Sequence, residues 1–221
     1  MEAVDRALSI LAAFQSTDKT LSLAVLAQRT GLYKSTLLRL GRSLEKAGYL
    51  IRHEDSVFSI GTEPLRLAAL VRRSAGYEQK IRPVLADLAD ETGQSASFFV
   101  RKGDSRLCLY RENAATGLRD AIQEGDLLPL DQGAAGKILG QDNKSAQVIP
   151  VFRPVITLGE RDPEIGAVAL PVYAADGLVG SLTLSGPLTR FTKTQTNRLA
   201  KTLTRSARQL SLELGAMIRQ T

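Results

Sequence analysis

The stretch "GLYKSTLLRLGRSLEK" gathers Lys34, Ser35, Thr36, Arg39, Arg42, Ser43 and Lys46. Ammonium, guanidinium and hydroxyl groups are hydrogen-bond donors, and two of the three types carry fixed positive charge. Such a set holds an anion; it has no base to activate a nucleophile. Arginine reaches guanine edges or phosphate, and hydroxyls donate to phosphate. Ser35 and Thr36 stand near the predicted start of a helix, where a phosphate is favoured. Glu45 is the single acid in this run. The bland alternative is a solvated basic helix face.

Other chemistries find little support. The chain has one cysteine, Cys108, and one histidine, His53, which lies in a charged turn. That excludes an internal disulfide and argues against a Cys–His nucleophile pair or a dedicated zinc site. "GAAGK" lacks the flanking pattern of a phosphate-binding loop. The expectation is no enzyme, no metal and no cofactor.

A helix that presents donors must be held by its other side. Leu37, Leu40, Gly41 and Leu44 recur at helical spacing and predict a helix from about Lys34 to Ala47 with this face inward. Before it, Ser22 is a predicted N-cap for "LAVLAQRT", closed by Gly31. Val4, Ala7, Leu8, Leu11 and Ala12 predict a first helix. "YLIR" and "VFSI" around "HEDS" predict a β-hairpin. Three helices and a hairpin are the parts of a winged helix-turn-helix. Double-stranded DNA is the expected partner, through Lys34, Ser35, Thr36, Arg39, Arg42, Ser43 and Lys46. Arg52 is added from the wing, whose tip also carries Glu54 and Asp55.

The charge distribution agrees. The net charge of the 221 residues is +6, and residues 1–73 hold eleven cations against seven acids. Trp is absent and aromatics are few, which argues against stacking on single strands. The opening "MEAVDRALSILAAF" lacks a basic leader region, and no apolar run suits a bilayer. A cytoplasmic protein without membrane contact is expected.

Thr62 is a predicted cap for the helix "EPLRLAALVRR", and "SAG" (74–76) reads as a linker. Beyond it come the helix "YEQKIRPVLADLADETG", strands around Gly103-Asp104 and around Ala175–Gly177, a short helix after "LPLDQ", and a terminal helix from Thr192. This order predicts an α+β domain with an antiparallel sheet. Of the strand residues Phe98, Val100, Leu107, Leu109 and Val168, alternate members are expected to face inward as an apolar wall.

"VDRALSILAAF…LSLAVLAQRTGLYKSTLLRLGRSLEKAGYLIR…FSIG" resembles the DNA-binding domain of the IclR family of bacterial transcriptional regulators. "RPVLADLADETGQSASFFV", "LPLDQGAAGKIL" and "GERDPEIGAVALPVYAADGLVGSLTLSGPLTR" resemble, in order, that family's effector-binding domain. The resemblance implies a winged helix over residues 1–61, a linker helix over 62–76 and a GAF-like effector and oligomerisation domain over 77–221. It implies a homodimer or dimer of dimers on a palindromic operator, and a small-molecule effector, often a carboxylic or aromatic acid. The corresponding pocket positions are Ala134, Ala135 and Gly136 in the loop, with Thr183 and Ser185 on the strands. Thr157 and Ala167 replace an acid and a cysteine usual in the family, and Asp131 stands where many members have histidine. Between Gly140 and Phe152 only "QDNKSAQVIPV" remains of a usually longer helical insertion. The alternative is that Thr183 and Ser185 merely satisfy strand backbone and that the second domain oligomerises without a ligand.

Overall fold

The computed structural model describes residues 2–114, 120–141 and 152–217. The chain forms two compact units, Met1–Ala75 and Gly76–Thr221.

The first unit contains α1 (Glu2–Ala12), β1 (Leu21–Ser22), α2 (Leu23–Thr30), α3 (Lys34–Lys46), β2 (Leu50–Arg52), β3 (Val57–Ile60) and α4 (Glu63–Ala75). Ser22 caps α2, its hydroxyl accepting from the Val25 N–H at 3.3 Å. Gly31 ends α2 at φ 69°, a left-handed conformation that glycine adopts without a side-chain penalty. Leu37, Leu40 and Leu44 of α3 then bury against Ile10, Leu26, Leu50 and Phe58. The expected hairpin is present, and β1 joins it to give the order β1-β3-β2. Two residues are too short a strand to leave a pattern in sequence. On α1 the buried residue is Ile10, supported by Ala7 and Leu11, whereas Val4 and Leu8 are 62% and 56% exposed.

The expected "SAG" linker is shorter than predicted. Helix α4 continues through Ser74 and Ala75, leaving Gly76 at φ 60° as the break before α5 (Tyr77–Thr92). Serine and alanine are acceptable in a helix, so only glycine interrupts it.

The second unit is a six-stranded antiparallel sheet with helices on both faces. Its strands are β4 (Ser95–Lys102), β5 (Ser105–Glu112), β6 (Leu127–Pro129), β7 (Val155–Leu158), β8 (Ile165–Ala174) and β9 (Gly177–Pro187). Their order is β6-β5-β4-β9-β8-β7. Helices α5 and α7 (Lys193–Glu213) cover one face, where Ile81, Leu85, Leu88, Leu203 and Leu210 meet Leu170, Leu182 and Leu184. The short α6 (Gly133–Leu139) covers the other with Phe99, Cys108, Ile122 and Ala169. Edge strands β6 and β7 add to the four strands read from sequence.

Side-chain alternation corrects one expectation. Phe98, Val100, Leu109 and Val168 pack on the α5/α7 face, away from α6. The α6 face takes the opposite parity, Phe99 and Cys108, with a bulge between Phe98 and Phe99 shifting the register against β5. A strand buried on both sides gives no polar phase from which to choose a face. Residues 142–151, most of the shortened stretch after Gly140, lie outside the described residues.

Candidate functional site

In the first unit, the buried leucines of α3 fix which side is free. At about 100° per residue, Ser35, Arg39, Arg42 and Lys46 fall within roughly 60° of arc opposite that face and extend over about 16 Å. Lys34, Ser35, Arg39, Arg42, Ser43 and Lys46 are exposed, and Thr36 is half-buried. Among the described residues, none of the four α3 cations takes part in an ion pair. Elsewhere in this unit arginines are engaged: Arg6 with Glu2, Arg29 with Asp18 and Arg66 with Glu63. The Arg29 guanidinium holds the Asp18 carboxyl below its ordinary range. The α3 stripe is therefore free to meet an outside anion.

Two further features frame the stripe. Tyr33 precedes α3 in extended conformation and is 85% exposed. Its ring and hydroxyl flank the same helix end as Lys34, a position the donor pattern does not single out because tyrosine is equally a core residue. In the wing, Arg52 donates to Ser56 Oγ at 3.2 Å and the His53 ring bonds Ser59 Oγ at 2.8 Å. Asp55 and Ser56 at the tip both adopt positive φ.

In the second unit, register gathers four of the expected pocket residues. Thr157 faces Ala167, Ala167 faces Ser185, and Ser185 faces Ser95 across four neighbouring strands. Thr183 lies one pleat along and faces Ser97. These form a floor on the α6 side of the sheet, with Ser181 Oγ 3.4 Å from Thr183 Oγ1. Ala134 and Ala135 lie above it. The cavity they line measures about 30 Å³, room for about one water.

Three charged residues missed in the sequence complete its wall: Arg106, Asp120 and Arg161. Arg106 is 2% exposed. Its Nη1 donates to the carbonyls of Pro129 and Gln132, while Nε finds no partner among the described residues. Burial, and then the neighbouring Arg161, lower its pKa to about 10. Asp120 accepts from Arg161 Nη2 at 2.6 Å, and its carbonyl accepts from Arg111 Nη2 at 3.3 Å. These residues come from β5, the β5–β6 connection and the β7–β8 turn, so no local sequence signal joins them.

The remaining expected positions lie differently. Asp131 is exposed and lies outside the cavity lining. Gly136 is packed on Leu130 and Arg106: a β-carbon there would stand 2.8 Å from Arg106 Nη1. The small residues of "GAAG" thus let α6 sit directly on the arginine. At the start of α6 the Gly133 N–H donates to Glu160 Oε1 at 3.3 Å, and Lys137 pairs with Glu160 Oε2 at 2.6 Å. A protein carboxylate therefore already meets the first donor of the loop. Among the described residues no cluster of metal-ligating side chains occurs and no helix is long and apolar enough to cross a membrane.

Residues 3–54 match the family model of the IclR helix-turn-helix domain. The chain is 23% identical over 248 residues to the HTH-type transcriptional regulator BhcR of Paracoccus denitrificans, covering 97% of this chain and 88% of the relative. An IclR transcriptional regulator from Silicibacter sp. TM1040 has the same fold, with a TM-score of 0.81 at 20% identity over 98% of both chains. An IclR homologue from Microbacterium hydrocarbonoxydans, crystallised with 4-hydroxybenzoate, superposes with a TM-score of 0.73 at 16% identity over 94% of this chain and 99% of its own. Such relatives are regulators of transcription rather than enzymes. Residues 3–54 thus carry an IclR-type helix-turn-helix domain, and along its length the chain is similar to transcriptional regulators of the IclR family.

Proposed function

We propose that this regulator grips a palindromic operator as a homodimer, one α3 in each of two successive major grooves. The carrying observation is the exposed stripe of Ser35, Arg39, Arg42 and Lys46, without an ion pair among the described residues, opposite the buried leucines of α3. In this reading residues 1–61 bind DNA, 62–76 link, and 77–221 sense and oligomerise in the cytoplasm. Lys34, Ser43 and Thr36 flank the stripe for phosphate contact, and Arg52 reaches from the wing. Paired half-sites about 34 Å apart require two copies. The exposed Val4 and Leu8 of α1 and the exposed Leu65 and Leu70 of α4 supply apolar surface for that pairing.

The effector is a small acid taken at the α6 face, with Thr157, Ala167, Thr183 and Ser185 below and Ala134 and Ala135 above. The 4-hydroxybenzoate complex of a structural relative supports an acid at this fold. Binding shifts the population between arrangements of the DNA-binding units, with a coupling of about 1–3 kcal/mol. One observation favours the second reading, a domain that oligomerises without a ligand: the cavity is only about 30 Å³.

The test is anisotropy titration of duplexes from the promoter regions beside the gene, followed by Arg39→Ala and Arg42→Ala together. Removing a base-reading arginine should cost about 1–3 kcal/mol. A folded double variant that keeps wild-type operator affinity removes α3 from the interface.

A further inference from the structure

We infer that Arg106 and Arg161 form the carboxylate-binding site for a small aliphatic acid, and that Asp120 is a built-in competitor which the acid displaces from Arg161. The inference rests on the effector reading above and deepens it. It moves the anchor from the neutral donors of the strands to a pair of guanidinium groups.

Arg106 is the first reason. A guanidinium has five N–H donors and no acceptor. Here Nη1 is held by the Pro129 and Gln132 carbonyls, which fixes the group, while Nε has no partner among the described residues on a side chain 2% exposed. A buried donor left without a partner costs free energy, and a carboxylate oxygen removes that cost. The fixed Nη1 makes the group a preorganised receptor.

Asp120 is the second. Its side chain is 3% exposed and its carboxylate touches Arg161, 2.6 Å away. Two guanidinium groups thus line a cavity that holds one carboxylate, leaving an excess positive charge. Of the other acids nearby, Asp131 is exposed and reaches Arg106 only through its field, from outside the cavity lining. Glu160 is paired with Lys137. An incoming acid matches the group it replaces, so exchange keeps Arg161 paired while newly satisfying Arg106 Nε.

Size and lining set the rest of the ligand. Displacing the Asp120 side chain adds room for little more than a carboxymethyl group to the free space of about 30 Å³, which suits a short acid and not an aromatic ring. Phe99, Ile122, Ile165 and Ala167 offer a short apolar wall, with Thr183 and Ser185 for one polar substituent. An aliphatic acid of a few carbons fits this description.

The competition has a testable sign. Asp120→Asn removes the internal carboxylate at nearly constant shape. Calorimetric titration with propionate at constant ionic strength should then show about tenfold tighter binding than wild type, the scale of one charge-assisted contact. Adding Arg106→Gln to Asp120→Asn should reverse that gain. Where the double variant does not fold, the Asp120→Asn arm decides alone, with folding checked by thermal unfolding. Equal affinity of Asp120→Asn and wild type for propionate overturns the proposal. So does equal tightening toward chloride or phosphate, which would show general anion uptake. Benzoate binding that ignores Asp120 and Arg106 but depends on Thr183 and Ser185 overturns the anchor and leaves the effector reading standing. No acid binding to any variant, with operator binding intact, removes both.

Discussion

Gly136 of α6 lies against the Arg106 guanidinium, so that a β-carbon at the glycine would stand 2.8 Å from Nη1. The same β-carbon would also collide with the Leu130 carbonyl, which is backbone and cannot step aside. Gly136→Ala should therefore destabilise the second unit by about 1–3 kcal/mol, the usual range for overpacking. Ala135→Gly, at the neighbouring buried position, involves no such clash and serves as the control. Urea denaturation of both variants measures the difference.

Apolar exposure on the first unit makes a prediction about assembly. Val4 and Leu8 are 62% and 56% exposed on α1, and Leu65 is 72% exposed on α4. Scattered surface leucines are common, but charge at a paired apolar surface is costly. Leu8→Glu with Leu65→Glu should raise the dimer dissociation constant by at least about tenfold while leaving the monomer folded. Sedimentation velocity across micromolar concentrations checks this. An unchanged distribution places the pairing surface elsewhere.

Cys108 gives a pH dependence with a definite sign. Burial pushes its thiol up to about 12 from an ordinary value of 9.0, with Arg111 opposing. The folded pKa lies above the unfolded one, so the folded state favours the neutral thiol. The associated stability is fully present below about pH 9 and declines as pH rises toward 12. Native protein at pH 8 should resist a thiol-reactive disulfide reagent and react when denatured. Cys108→Ala should flatten the alkaline loss of stability relative to wild type, read from melting temperature against pH.

The structure also shows what kind of information a sequence carries. Leu37, Leu40, Gly41 and Leu44 repeat at helical spacing, so the inner face of α3 is legible, and the donors opposite it follow. Ser22 and Gly31 are legible because caps are local chemistry. Leu21–Ser22 is not, since a two-residue strand has no period. The facing of Phe98 and Phe99 is hidden as well, because a doubly buried strand lacks polar phase. Arg106, Asp120 and Arg161 are invisible for a different reason. Each is unremarkable in its own segment, and only the sheet order β6-β5-β4-β9-β8-β7 with α6 above brings them to one cavity.

The strand floor of the cavity separates a ligand site from plain backbone satisfaction. Thr183 and Ser185 are 4% and 5% exposed, and they line the cavity together with Thr157 and Ala167. If they hold the polar end of an effector, Thr183→Val with Ser185→Ala should weaken acid binding by about 1 kcal/mol per hydrogen bond removed, roughly fivefold each. Val matches Thr in shape and Ala leaves Ser nearly so, so folding should change little unless the hydroxyls serve the core. Asp131→Asn is the contrasting variant. Asp131 is exposed and outside the cavity lining, so its charge meets water and the substitution should leave affinity within about twofold. Calorimetry and thermal unfolding on the same samples separate the cases. Weaker acid binding at unchanged melting temperature assigns the hydroxyls to the ligand. A lower melting temperature with unchanged affinity returns them to the core, and a marked effect of Asp131→Asn moves the effector to the outer surface of the loop before α6.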